Sequence, residues 1–77
     1  ITIRMYYDEH APPHVHAHKG GSDGVFTIKD GALIEGRMSK RDAKLVAAWI
    51  TIHEDELADN WERARQDRKL KTVDPLR

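Results

Sequence analysis

The sequence predicts an α+β fold, with a small antiparallel β-meander of about four strands followed by a long C-terminal helix, or helix pair, packed on one face. Three observations carry this expectation. Four short runs with two-residue hydrophobic alternation fill the first half of the chain. Glycine-bearing turns separate the later ones closely enough for hairpins, whereas parallel strands would need long crossovers. From Arg37 to Asp74 there is neither glycine nor proline, and apolar residues recur at helical spacing. Strands first and a helical run after them segregate the two kinds of element.

In the first run, residues 1–7, Ile1, Ile3, Met5 and Tyr7 share one face and Thr2, Arg4 and Tyr6 the other, the pattern of a half-buried strand. The run opens without a methionine and already inside its pattern, so a preceding arm or strand is expected. Asp8 to Pro13 reads as a loop, because each proline fixes its own φ and pushes the residue before it out of the helical region. A strand over 14–18 returns from it. Lys19 to Gly24 holds three glycines and reads as a turn. Strands over 25–29 and 32–35 then flank Asp30-Gly31, a strong signal for a two-residue primed turn. That turn would set Ile28 opposite Leu33 and Thr27 opposite Ile34. Both faces of the hairpin would then carry apolar side chains, and the face away from the helix would call for cover by a preceding segment or a partner chain.

Ser39-Lys40-Arg41-Asp42 is a capping box in its acidic variant and starts a helix that runs to about Gln66. Val46, Ile50, His53, Leu57, Trp61 and Ala64 form one stripe along it. A second capping-box pattern, Thr51-Ile52-His53-Glu54, allows a break into two helices there. Trp49 and Trp61 are expected at the sheet. Residues 54–62 carry five acids and no base, and residues 63–71 five bases and one acid, the order that a helix macrodipole favours. The tail, 70–77, contains Pro75 and reads as extended, with Val73 and Leu76 able to pin it down.

The chain has 77 residues with thirteen basic and thirteen acidic side chains, which argues against binding nucleic acid by bulk charge. We read it as one domain. A domain this small buries only about 60% of its unfolded surface, so a homodimer or a complex with another protein is expected. It has no cysteine, which fits a reducing cytoplasm better than a disulfide-stapled secreted fold. No apolar run approaches the roughly 18 residues of a membrane span.

Four of the five histidines, His10, His14, His16 and His18, lie within nine residues. On a strand, His14, His16 and His18 face one way and Val15 and Ala17 the other. Three chemistries fit such a row. His14 and His16, about 6.5 Å apart at their Cα atoms, could both reach one zinc ion, with Asp8, Glu9 or His10 closing the shell. The alternation resembles the His-apolar-His-apolar-His core of the histidine-triad nucleotide hydrolases and transferases, in which the middle histidine attacks a phosphate. Where that family has two apolar residues next, Lys19-Gly20 stand here. The third chemistry is RNA-directed: Arg4 and Lys19 offer cations, Tyr6 and Tyr7 offer rings, and Pro12-Pro13 shape the loop around His10, His14 and His16. Against each stands a plain alternative, in which the histidines are half-exposed strand residues that hold the proline loop by hydrogen bonds. His53, on the helix stripe, reads as a satisfied core histidine.

The segments Arg4-Met5-Tyr6-Tyr7, Asp8 to Ala17 with its Pro-Pro-His-Val-His-Ala core, Ile34-Glu35-Gly36, Trp49, His53-Glu54, Glu56-Leu57, Asn60-Trp61-Glu62 and Asp74-Pro75-Leu76 resemble the small bacterial family catalogued as domain of unknown function 4160. In that family the position of His18 is commonly acidic, which moves the expectation toward His14 and His16. The resemblance implies no established activity. It implies a two-gene, toxin–antitoxin-like setting, in which the chain binds a small protein encoded by a neighbouring gene; joined to the reading of the residues, this gives a toxin-like or regulatory protein with His10, His14, His16 and Arg4 at an RNA- or phosphate-directed site. The alternative is a non-enzymatic interaction domain whose histidines are structural or bind a metal such as zinc.

Overall fold

A computed structural model describes residues 1–76. Strands β1 (Thr2–Arg4), β2 (His14–Lys19), β3 (Ser22–Thr27) and β4 (Leu33–Gly36) form one antiparallel sheet in the order β1-β2-β3-β4, followed by α1 (Lys40–Ile52) and α2 (Glu54–Arg65). This is the expected α+β meander. Among the described residues no helix is long and apolar enough to cross a membrane.

The first strand is shorter than its alternation, ending at Arg4 and not at Tyr7. β1 is an edge strand, and its three residues pair with 16–18 of β2. Beyond them the chain leaves the sheet, and the turn at Tyr7-Asp8 puts Asp8 at φ 62°. The inward set still holds its side: Ile1, Ile3 and Met5 pack on the core, while Tyr7 is left 44% exposed.

The expected Lys19–Gly24 turn shrinks to Gly20-Gly21. Lys19 pairs with Ser22, so β3 begins three residues earlier than its apolar run. The next hairpin differs more. Asp30-Gly31 is not a two-residue turn, and Ile28 and Lys29 are not strand. The connection spans 28–32, closed by Gly31 N–H to the Thr27 carbonyl (2.8 Å) and Ala32 N–H to Thr27 Oγ1 (3.2 Å). Phe26 therefore faces Leu33 and Val25 faces Glu35, with Ile34 as the extra residue of a bulge. Ile28 keeps the core-facing side of Gly24 and Phe26 (3% exposed), and its N–H to the Pro13 carbonyl carries the β2–β3 register one residue further, so only the pairing with β4 is lost there. Gly31, at φ +65°, lies so close to α1 that a Cβ there would meet the Ala47 backbone at 3.2 Å.

Ser39 caps α1 as expected, its hydroxyl accepting from the Asp42 N–H. The helix does break, but Thr51 is not the second cap. Its hydroxyl donates back to the Ala47 carbonyl, and His53 occupies the junction with no side-chain cap bond. One non-helical residue hardly disturbs the phase, so the stripe survives: Val46, Ile50, Leu57, Trp61 and Ala64 are buried, and His53 partly so. With Val15, Ala17, Phe26, Ile28 and Trp49, most of the stripe makes the core on one face of the sheet. Full burial of Val15, Phe26, Val46 and Ile50 contributes roughly 1.5–3 kcal/mol each.

The tail crosses this core as a strap. Asn60, itself buried, donates to the Lys71 carbonyl (2.9 Å) and accepts from the Lys71 N–H (2.8 Å), and Trp49 Nε1 donates to the Asp74 carbonyl (2.9 Å). Val73 and Leu76 pack below.

Candidate functional site

Because β2 alternates, Val15 and Ala17 go under the helices and His14, His16 and His18 stand on the opposite face. Their surroundings differ along the strand. His14 is only 8% exposed, because the Trp61 ring reaches it (centroids 5.0 Å apart) and the His16 ring stands edge-on at 5.2 Å. His16 is half-buried, with Tyr6 edge-on at 4.9 Å. His18 is exposed and pairs with Asp23, its register partner on β3.

The turn at Tyr7-Asp8 brings Glu9 over the first two histidines. Asp8 sits in the left-handed region, which a short polar side chain tolerates better than a bulky one. Glu9 Oε1 lies 2.6 Å from His16 Nε2 and Oε2 lies 3.5 Å from His14 Nε2. One ligand atom from each of Glu9, His14 and His16 falls within 4.8 Å of the others. His14 Nδ1 lies 2.7 Å from the Pro12 carbonyl. A carbonyl only accepts, so Nδ1 carries the proton and donates. In the neutral ring Nε2 is then a lone pair, 3.5 Å from a carboxylate oxygen.

The remaining residues singled out in the sequence scatter around this cluster. Arg4 is the register partner of His16 and borders the same depression as Tyr6, His16 and His18. His10 is exposed and lies on the rim with Ala11 and Pro12, outside the ligand group. The proline turn does not deliver it to His14 and His16, since Glu9 beside it takes the inward place. Pro12 contributes its carbonyl, and Pro13 holds Ile28. Tyr7 is tied elsewhere, its hydroxyl donating to the Arg68 carbonyl. Lys19 belongs to the other face of β2 and binds Asp42 at 3.1 Å. That hydrogen bond holds the Asp42 carboxyl below the usual carboxylate range, and the Ser39 cap adds to it. His53 pairs with Glu56 at 2.7 Å and lies against Trp49, a satisfied helix-junction histidine.

Glu9 and Trp61 are the residues that sequence reasoning undervalued. Glu9 stood as one of three acceptable ligands, with no periodicity to choose among them, and Trp61 read only as core. A loop carboxylate five residues before a His-x-His strand is the signal, and it is an unspecific one.

No curated protein and no solved structure matches the chain. The family model described as Domain of unknown function (DUF4160) matches residues 1–62, a span that includes all four strands together with Glu9, His14, His16 and Trp61. With most of its length matched, the chain belongs to the DUF4160 family.

Proposed function

We propose that this protein binds a divalent transition-metal ion, zinc by donor type, through Glu9, His14 and His16. The observation that carries the reading is the closeness of two acceptors: His14 Nε2, a lone pair in the neutral ring whose Nδ1 donates to Pro12, and Glu9 Oε2 at 3.5 Å. Two such atoms repel unless a cation lies between them. In a tetrahedral zinc shell with bonds of about 2.0–2.1 Å, donor atoms sit about 3.4 Å apart. The Glu9 Oε2–His14 Nε2 pair has that separation, while His16 Nε2 sits at 2.6 Å from the other carboxylate oxygen, a contact that must give way for the ring to turn its lone pair to an ion. The Pro12 carbonyl behind His14 is the outer partner that metal-bound imidazoles usually have. Glu9, His14 and His16 would hold the ion with three ligands, and zinc so held would supply Lewis-acid polarisation of a phosphoryl or carbonyl oxygen and activation of water.

The competing cation is a proton on His14, which would make the cluster a structural ion pair in an interaction domain. Titrating the purified protein with Co²⁺ separates the two. A tetrahedral cobalt spectrum at one equivalent, absent in His16→Ala, is expected; no uptake by a folded wild type would sink the metal reading.

The setting we propose is a toxin–antitoxin-like pair in the cytoplasm, with a small protein from the neighbouring gene, or a second copy, covering β4. Support comes from that strand: it is a sheet edge with all four residues exposed, Leu33 at 39% and Ile34 at 50%. Light scattering of the chain alone and co-expressed with that protein tests it. A one-chain mass in both cases would remove this setting and leave the metal centre standing.

A further inference from the structure

Resting on the metal reading, we infer that the open face of the sheet is a nucleotide-phosphate site, with Arg4 and the metal centre on either side of the phosphate and Tyr6 under the base. The cluster does not stand alone on this face. It opens into a shallow depression of about 220 Å³ that includes Glu9, His14 and His16, and this adjoins a larger one of about 560 Å³ that includes Arg4, Tyr6 and His18. His16, Val25 and Glu35 border both, so the two form one groove passing the metal ligands.

Arg4 is the unengaged cation of that groove. Lys19 is held by Asp42, Arg63 by Asp59 and Arg65 by Glu62, whereas Arg4 is in no ion pair among the described residues. Its register partner is the ligand His16, so its side chain emerges on the metal-ligand face, within one side chain's reach of the cluster. A planar guanidinium and a metal with an open position are the two groups that bind separate oxygens of one phosphate. Tyr6 adds a half-exposed ring, set T-shaped to His16 with 46% of its surface free, as a base-stacking platform.

The acids of the groove set the condition. Asp23 is engaged by His18, but Glu35 faces both depressions and opposes an anion. Without the metal, the one charge of Arg4 stands against two carboxylates, Glu9 and Glu35, and the phosphate is repelled; a divalent ion held by Glu9 reverses that balance.

The test uses the Co²⁺-loaded full chain with inorganic phosphate and with adenosine 5′-monophosphate, read by the cobalt absorption bands. Both anions are expected to shift the bands, the nucleotide binding more tightly. Arg4→Gln should weaken both by about tenfold or more at unchanged cobalt affinity. Tyr6→Ala should reduce the nucleotide roughly fivefold, toward phosphate, and leave phosphate unchanged. A short single-stranded RNA competing with the mononucleotide would place the phosphate in a polymer; competition by the mononucleotide alone would place it in a free nucleotide. Cobalt uptake with no anion effect, or with an effect that survives Arg4→Gln, overturns this inference and leaves the metal centre intact. Failure of cobalt uptake overturns the metal reading, and the inference falls with it.

Discussion

The two faces of β2 obey different rules. On one, Val15 and Ala17 are uniformly sealed at 0% and 1% exposure beneath the helices. On the other, three identical side chains at the same spacing run from buried His14 through half-buried His16 to exposed His18. The apolar face is sealed at Val15 and Ala17 because the core packed under the helices covers both, and it opens only at Lys19, the last residue of the strand. The histidine face is graded because only Trp61, Tyr6 and Glu9 reach over it, and they reach from one end. Identical residues in a row therefore have unlike chemistry. His14 is locked by a backbone carbonyl, His16 is held by a carboxylate, and His18 is bound only to an exposed aspartate.

Trp61 is where the two faces meet, so its loss should have the largest effect. Trp61→Ala removes a core side chain and the cover of His14 together and should lower stability by about 3–5 kcal/mol in urea denaturation. Much of a small domain's stability is of that size, so Trp61→Phe serves as the milder variant, keeping the apolar face and loosening only His14. A Trp61→Ala protein as stable as the parent would mean that the helices do not seal the sheet as described.

Next in size, His14→Ala and Asn60→Ala should each cost about 1–3 kcal/mol, because each removes the partner of a backbone group: Pro12 in the first case, Lys71 in the second. They act on different regions. Asn60→Ala should speed proteolysis within residues 70–76 and leave cobalt binding alone, whereas His14→Ala should do the reverse. Equal protease sensitivity in both would erase the distinction.

Along the histidine face the gradient itself is testable. His18→Ala should stay within about 0.5 kcal/mol of the parent, the usual range for a surface change, and retain cobalt binding. His16→Ala should lose the cobalt spectrum while melting close to the parent. Loss of cobalt binding in His18→Ala would show a three-histidine site and flatten the contrast between the ends of the row.

The smallest effect is expected at Lys19, the base at the β2 end of the apolar side. Lys19→Met should bring the Asp42 titration, followed by NMR, back toward the usual carboxylate range. A carboxyl depressed in the folded state adds stability above its unfolded pKa, and that contribution disappears as pH falls through the folded value. Parent and variant should thus differ slightly at neutral pH and converge in strong acid. Because Asp42 forms an exposed pair, the difference should be small.

What the sequence by itself determined is whatever depends on neighbours along the chain. Period-two alternation placed Val15 and Ala17 opposite the histidines, the 3.6-residue stripe from Val46 to Ala64 marked the buried side of both helices, and Ser39 capped α1 where its spacing to Asp42 required. Tertiary structure decided what depends on contacts between distant segments. The connection over 28–32 closes on Thr27 with Gly31 packed against Ala47 of α1, and this moved the hairpin register and left the bulge at Ile34. Glu9, not His10, joined His14 and His16 because the Asp8 backbone turned it inward. Lys19 went to Asp42 because α1 begins beside the end of β2. Local periodicity assigns a residue to a face, but which groups meet there is set by a chain reversal and by packing across the fold, neither of which leaves a period to read.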